Sequence, residues 1–161
     1  MKVNLIYGTD NGNTRSIAKK IAKRLPEAEV IHISKAKPDD FETCDLLILG
    51  SPTYGFGELS DDWITGIALL SAANLNGKTV ALFGTGDQLN YPDTFADAMG
   101  ILYEKAVERG ANVVGHTETG GYDFDKSTAI RDGHFVGLVL DQDNQANKTE
   151  ERIESWLGKL L

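Results

Sequence analysis

Four consecutive aliphatic residues, Leu46–Leu49, run without a polar break between Cys44–Asp45 and Gly50–Ser51–Pro52. A strand with one wet face alternates apolar and polar residues. An unbroken apolar strand has to be covered on both faces, as strands inside a parallel sheet are. The segment predicts a strand over 45–50. VNLIY at 3–7 and KTVALF at 78–83 read similarly, with shorter strands over 29–33 and 112–116. Between them lie helical patterns. Residues 13–25 carry Ile17, Ile21, Ala22 and Leu25 on one face, with Lys19, Lys20, Lys23 and Arg24 mostly elsewhere, and Pro26 closes the helix. Further helices are predicted near 61–72, near 93–109 (Phe95, Met99, Leu102 and Ala106 inward, stopped by Gly110) and near 147–160. Residues 117–134 are too polar for a core element, and a strand pattern resumes at Phe135. Strand and helix alternate about five times, which predicts an α/β, doubly wound parallel sheet with helices on both faces and right-handed crossovers. The length, 161 residues, fits one domain over 1–161.

Composition narrows the function classes. A net charge of −8 repels nucleic acid and anionic membranes and favours basic protein partners. No apolar stretch approaches the roughly 20 residues of a membrane span, and MKVNLIY lacks the pattern of a signal peptide, so a cytoplasmic setting is expected. One cysteine, Cys44, excludes an internal disulfide; it precedes a buried strand and reads as a small core residue. His32, His116 and His134 show no ligand spacing, Trp63 and Trp156 have core-type neighbours, and the acidic run 39–45 reads as solvated surface.

In doubly wound sheets ligands sit beyond the C-terminal strand ends, at the switch in strand order. Three loops leave strand ends here: 8–14, 51–60 and 84–92. The first offers Thr9, Asn11, Asn13 and Thr14 as side-chain donors. Gly12 lets the backbone curl its N–H groups inward at the start of a helix, an arrangement that holds a phosphate. A nucleotide-triphosphatase loop would read GxxxxGK[ST]. Gly8 and Gly12 are one residue too close for it, and Asn13 stands in place of lysine, which points to one terminal phosphate. A bland helix cap would explain the same turn, though not its density of hydroxyls and amides. GTGDQL at 84–89 is only a fragment of a dinucleotide fingerprint, because Leu89 replaces the third glycine. Tyr54 and Tyr91, on two strand-end loops, are placed to sandwich a flat heterocycle. Phe56 reads instead as a core or loop anchor.

The set TDNGNT at 9–14, PTYGFGEL at 52–59 and GTGDQLNYPD at 84–93 closely resembles flavodoxin, and GYDFDKSTAIRDGHFVGLVLDQDNQ from Gly121 resembles the long-chain branch. The resemblance covers nearly the whole chain. It implies a five-stranded sheet of order 2-1-3-4-5, for which flavodoxin is itself the type case, with the 117–134 excursion splitting the fifth strand. It implies FMN as cofactor. Thr9, Asp10, Asn11, Gly12, Asn13 and Thr14 would wrap the phosphate. Ser51, Pro52, Thr53, Tyr54, Gly55, Phe56 and Gly57 would form one ring-side loop, with Tyr54 and Tyr91 flanking the isoalloxazine and the Gly55–Phe56 peptide facing N5. Thr85, Gly86, Asp87 and Asn90 would belong to the other loop, with the backbone of 85–87 at the pyrimidine edge, and Asp143 would approach the ribityl chain. Three positions depart from the usual pattern: Asn11 for threonine, Tyr54 for tryptophan and Gly55 for the asparagine of some relatives. An amide still donates to phosphate, while a smaller ring loosens the cofactor.

The resemblance implies a low-potential carrier shuttling between semiquinone and hydroquinone. Glycine tolerates the φ > 0 of a flipped peptide, so Gly55 is expected to ease a flip that offers a carbonyl to protonated N5 and to raise the yield of the one-electron state. If Gly55→Ala leaves both reduction potentials unmoved, this reading fails. Glu58, Asp61, Asp62 and Asp87, with no Lys or Arg in 51–62 or 84–93, disfavour a second negative charge on the ring. Partners would be redox proteins with basic docking faces, such as a ferredoxin/flavodoxin-NADP reductase or a nitrogenase-type reductase, met by a monomer through small interfaces. An FMN-dependent NAD(P)H:quinone oxidoreductase of the same fold is the enzymatic alternative. A phosphoacceptor receiver domain is disfavoured, since the third strand ends in SPTYG without an aspartate. The excursion reads first as a packed flap and second as a partner-docking loop.

Overall fold

The computed structural model describes residues 1–9, 12–54 and 56–161. Parallel strands β1 (Val3–Tyr7), β2 (Ala28–His32), β3 (Leu46–Pro52), β4 (Thr79–Thr85) and β5 (Asn112–Val114) lie in the order β2-β1-β3-β4-β5. Among the described residues five α-helices cover them: α1 (Asn13–Arg24), α2 (Pro38–Glu42), α3 (Asp61–Ala72), α4 (Asp97–Glu108) and α5 (Thr149–Leu160). Side-chain alternation along β3 divides the interior. Leu47 and Leu49 face a cluster with Trp63, Leu70, Met99 and Leu102 from α3 and α4. Leu46 and Ile48 face Ile17 and Ile21 of α1 and Ile153 and Trp156 of α5. Both faces of the central strand are therefore dry, which is why its sequence does not alternate.

The fifth position of the sheet is shared. β5 pairs with Thr79–Ala81 of β4, and a later strand, β9 (Leu138–Leu140), pairs parallel with Phe83–Thr85 further along the same strand. The chain leaves β5 through Gly115 at φ 81, which ends the strand two residues before the sequence pattern does. It then forms a small antiparallel sheet of β6 (Thr117–Glu118), β7 (Ile130–Arg131) and β8 (His134–Phe135), in the order β6-β8-β7. This stretch is less polar in its packing than in its composition. Ala129 is fully buried, and Phe124 stacks on Phe95 of the main body with ring centroids 5.1 Å apart. Gly137 then passes so close to β4 that a Cβ there would lie 2.2 Å from the Leu82 carbonyl oxygen.

Two other elements differ from expectation. The run 39–45 is not uniformly solvated: α2 buries Phe41 completely, and its first turn is closed by Lys37 N–H donating to Asp40 Oδ2 at 2.7 Å. Helix α4 starts at Asp97 rather than near 93, because Ala96 is left-handed at φ 56 and Phe95 N–H donates to the Lys126 carbonyl. Cys44, Trp63 and Trp156 are buried, each indole N–H donating to a backbone carbonyl, of Gly50 and Gly115 respectively.

Candidate functional site

Loops leaving β1, β3, β4 and β9 meet at the C-terminal edge of the sheet. The first is drawn tight against α3: Gly8 N–H donates to the Gly50 carbonyl at 3.0 Å, and a Cβ on Gly8 would sit 2.4 Å from the Trp63 ring. Thr9 N–H donates to Asp62 Oδ2 at 2.8 Å, and Gly12 N–H to Thr9 Oγ1 at 2.9 Å. Gly12, at φ 90, caps α1 without a side chain, a backbone that only glycine adopts cheaply. Thr14, one turn in, is fully buried, and its Oγ1 has no hydrogen-bond partner among the described residues. A hydroxyl left without an acceptor at a helix N-terminus is the kind of group that receives an anionic oxygen. Asp10 and Asn11 lie outside the described residues.

A cavity of about 360 Å³ opens beside this loop, lined by Asn13, Pro52, Thr53, Tyr54, Thr85, Gly86, Asp87, Tyr91, Gln142 and Asp143. Tyr54 is 56% exposed and Tyr91 45%, so two phenol rings stand at the rim of a pocket with their faces unburied. Tyr54 is held by a hairpin in which Tyr54 and Glu58 exchange two backbone hydrogen bonds of 2.8 Å, with Gly57 at φ 90 in the turn. The Tyr91 loop is fixed from below. Asp141, fully buried at the end of β9, accepts from Gln88 N–H at 3.0 Å and Gln88 Nε2 at 2.8 Å. It also accepts from Asn144 N–H and Nδ2.

The site is electrostatically uneven. Partial burial works to raise the Asp87 carboxyl, but hydrogen bonds from Asn90, Asn144 and Leu89 outweigh it and hold the group below its usual range. Lost hydration and the neighbouring Asp87 and Asp141 carboxylates push Asp143 up. Asp62 does not stand free at the rim as its sequence position suggests. Its carboxylate accepts from Thr9 N–H, Ser60 Oγ and Trp63 N–H, and His32 Nε2 lies 3.1 Å away.

The sequence matches the profile of the family described as Flavodoxin over residues 5–156. The chain belongs to the flavodoxin family. A flavodoxin of Synechocystis sp. is 47% identical over 162 residues, covering 99% of this chain and 95% of that one. Flavodoxin 1 of Escherichia coli K12 is 43% identical, covering 97% and 90%. A crystal structure of Fusobacterium nucleatum flavodoxin bound to flavin mononucleotide superposes with a TM-score of 0.93 at 30% identity, over 99% of this chain and 96% of that one.

Nine of the residues expected at a flavodoxin cofactor line the cavity: Asn13, Pro52, Thr53, Tyr54, Thr85, Gly86, Asp87, Tyr91 and Asp143. Thr9, Gly12 and Thr14 form the loop beside it. Ser51 does not reach it; strand alternation turns it inward, where its hydroxyl donates to the Pro52 carbonyl at 2.8 Å. Asn90 acts through Asp87, donating to its carboxylate from backbone and side chain. Phe56 is 86% exposed and anchors nothing, because the tight Tyr54–Glu58 turn throws its ring outward. Gly55 lies outside the described residues. Gln142, Gln88 and Asp141 were not singled out by sequence. The one signal for Asp141 and Gln142 was the polar run DQDNQ directly after an apolar strand, and for Gln88 its place in the 84–92 loop.

Proposed function

We propose that this chain binds FMN across the cavity between the first loop and the two tyrosines and serves as a low-potential one-electron carrier without a substrate of its own. When bound, FMN supplies one-electron redox chemistry. The protein supplies grip, shielding and charge. Gly12, Asn13 and the Thr14 hydroxyl, which has no partner among the described residues, hold the phosphate, with α1's positive end behind them. Tyr54 and Tyr91 cover the two ring faces and exclude water from them. The backbone of Thr85–Asp87 meets the ring's polar edge, and Asp143 the sugar-alcohol chain. Exposed carboxylates at Glu58, Asp61, Asp93 and Asp143 disfavour added negative charge and keep the potential low.

The observation that carries this reading is the pairing of two rim tyrosines over one cavity that reaches Asn13 at the start of α1, next to a buried Thr14 hydroxyl with no partner among the described residues. The insertion between β5 and β9 supports membership of the long-chain branch and one domain over 1–161. The acidic rim, with the exposed apolar Phe56 and Leu89 beside it, suits brief docking on basic faces of redox enzymes such as a pyridine-nucleotide reductase or a nitrogenase-type reductase. None of the helices is long and apolar enough to cross a membrane among the described residues, and we infer a cytoplasmic monomer. The test is stepwise anaerobic reduction of the FMN-loaded protein. A new long-wavelength band that peaks at half reduction is expected. A colourless protein that takes up no FMN refutes the reading, and direct two-electron bleaching with rapid NADH oxidation moves it to the reductase alternative.

A further inference from the structure

Helix α1, NTRSIAKKIAKR, carries five cations and no carboxylate in 12 residues, within a chain of net charge −8. The cations form two rows. Lys20 and Arg24, four residues apart, are neutralised by Glu150 and Glu154 of α5, also four apart, at 2.6 Å (Lys20–Glu150), 2.6 Å (Arg24–Glu150) and 3.4 Å (Arg24–Glu154). The second row, Arg15, Lys19 and Lys23, repeats the same spacing on the adjoining flank and makes no ion pair among the described residues. It borders an open groove of about 410 Å³ lined by Gly12, Arg15, Ser16, Lys19, Lys20 and Lys23. Like charges at i, i+4 destabilise a helix, and a cation in the first turn opposes the helix dipole, so this row works against α1 as it stands.

We propose that the Arg15–Lys19–Lys23 row is a docking surface for an acidic helical segment of a partner protein, seated on this flank as α5 is seated on the other. Carboxylates four residues apart on a second helix have the same repeat as the row, which spans about 12 Å at the α-helical rise. Ser16 and the bare Gly12 leave the groove floor low enough for close approach. A single phosphate would engage one end of so long a row. Nucleic acid or an anionic bilayer would bring extended negative charge against a protein whose other surfaces are acidic. The groove meets the phosphate loop at Gly12 but shares no lining residue with the tyrosine cavity, so a partner reading both is oriented by two patches of opposite sign, and the Arg15–Lys19–Lys23 row itself does not depend on the cofactor reading.

The probe is a fluorophore-labelled, alanine-based helical peptide with glutamates four residues apart, titrated into the full chain with FMN absorbance recorded on the same sample. Its glutamine counterpart is the control. We expect binding at low salt, weakened by roughly tenfold at ~0.2 M salt. We expect the glutamine peptide to bind at least roughly tenfold less tightly, since the row offers it no charge to pair. Lys19→Gln/Lys23→Gln should weaken binding and Lys19→Glu/Lys23→Glu abolish it. Both pairs are exposed, and each variant's melting curve shows whether it is folded. Amide shifts on peptide binding should centre on α1. Equal binding of the two peptides, unchanged binding by the folded variants, or shifts centred elsewhere overturns the proposal. So does capture of phosphatidylglycerol vesicles or inorganic phosphate in preference to the peptide.

Discussion

The two tyrosine walls of the cavity are built by opposite means. The Tyr91 wall is fixed by side chains from distant segments. Asp87 accepts from Leu89 and Asn90 on its own loop and from Asn144 after β9. Gln88 spans from Asp141 to the backbone of Asp123, whose N–H it accepts at 2.6 Å. The Pro92 carbonyl takes the N–H groups of Asp125 and Lys126. The Tyr54 wall is held chiefly by its own backbone, through the Tyr54–Glu58 pair and the Thr53 N–H to Thr85 carbonyl bond of 3.1 Å. Its main outside support is Ala98 N–H on Thr53 Oγ1 at 3.2 Å. One wall is a fixed stop. The other is a short glycine-bearing hairpin held mainly through its own backbone.

The sharpest way to break this contrast is at Asp141. Asp141→Ala removes the acceptor of the buried Gln88 N–H and Nε2 donors and leaves them without it, while the half-buried Asn144 Nδ2 keeps its bond to Asp87. A loss of about 3 kcal/mol in unfolding free energy is expected, since a buried donor stranded beside a lost charged acceptor carries its full desolvation penalty. Urea unfolding measures it, and FMN affinity should fall with it. Asp141→Asn, which keeps the shape and some acceptors, should lose less. If the alanine variant unfolds at the wild-type midpoint, the clamp does not hold this wall.

On the other wall the test is Gly57. At φ 90 any side chain is strained, and a Cβ there would lie 2.8 Å from Asp97 Oδ2. Gly57→Ala is expected to destabilise by about 1–2 kcal/mol, or about 3–6 °C in Tm for a chain this size. It should also shift the reduction potentials, because the strain falls on the hairpin that carries Tyr54. A fall in Tm with both potentials unmoved would make the hairpin a structural turn only.

Sequence makes these two walls unequally legible, for the same reason. The Tyr54 hairpin and the phosphate loop are local. Glycines, hydroxyls and aromatics crowd into a few residues after an apolar strand, so their identity as a site is written there even where distant residues such as Asp62 hold the loop. The Tyr91 wall depends on Gln88, Asp141 and Asn144, polar residues whose meaning lies in partners far along the chain. The same blindness explains Asp62, read as rim charge yet engaged with Thr9, and Phe41, an apolar residue in an acidic run whose burial depends on the main core. It also explains the excursion, whose Tyr122, Phe124 and Phe135 are scattered in sequence and close around Phe95 in space.

The tyrosines themselves refine the comparison. Removing one stacked ring weakens binding by roughly 0.5–1.5 kcal/mol beyond its area, or about twofold to twelvefold in Kd. Tyr91→Leu should fall at the upper end and Tyr54→Leu at the lower, because the hairpin can settle onto the ring and the clamped loop cannot. Quenching of FMN fluorescence during titration reads both. Equal losses would mean the two walls yield alike.

The smallest effect sits where the hairpin meets the core. Asp97 is buried at the start of α4, its Oδ1 accepting from Thr128 N–H at 2.7 Å and its Oδ2 against Gly57. Burial pushes its carboxyl above the usual 3.8, against the opposing pull of the Thr128 hydrogen bonds. A folded value above the unfolded one means the folded state holds the proton more tightly. This group therefore favours folding most below pH 3.8, and that contribution is lost as pH rises through the elevated folded value, leaving a constant penalty above it. Asp97→Asn keeps an acceptor for Thr128 and removes the charge. It should match the wild type in acid, gain slightly at neutral pH, and flatten the stability profile between, as urea midpoints from pH ~3 to ~8 will reveal. A variant that matches the wild type in acid but is less stable at neutral pH would mean that the charge itself secures the hairpin, and the lighter wall would then have a polar clamp of its own.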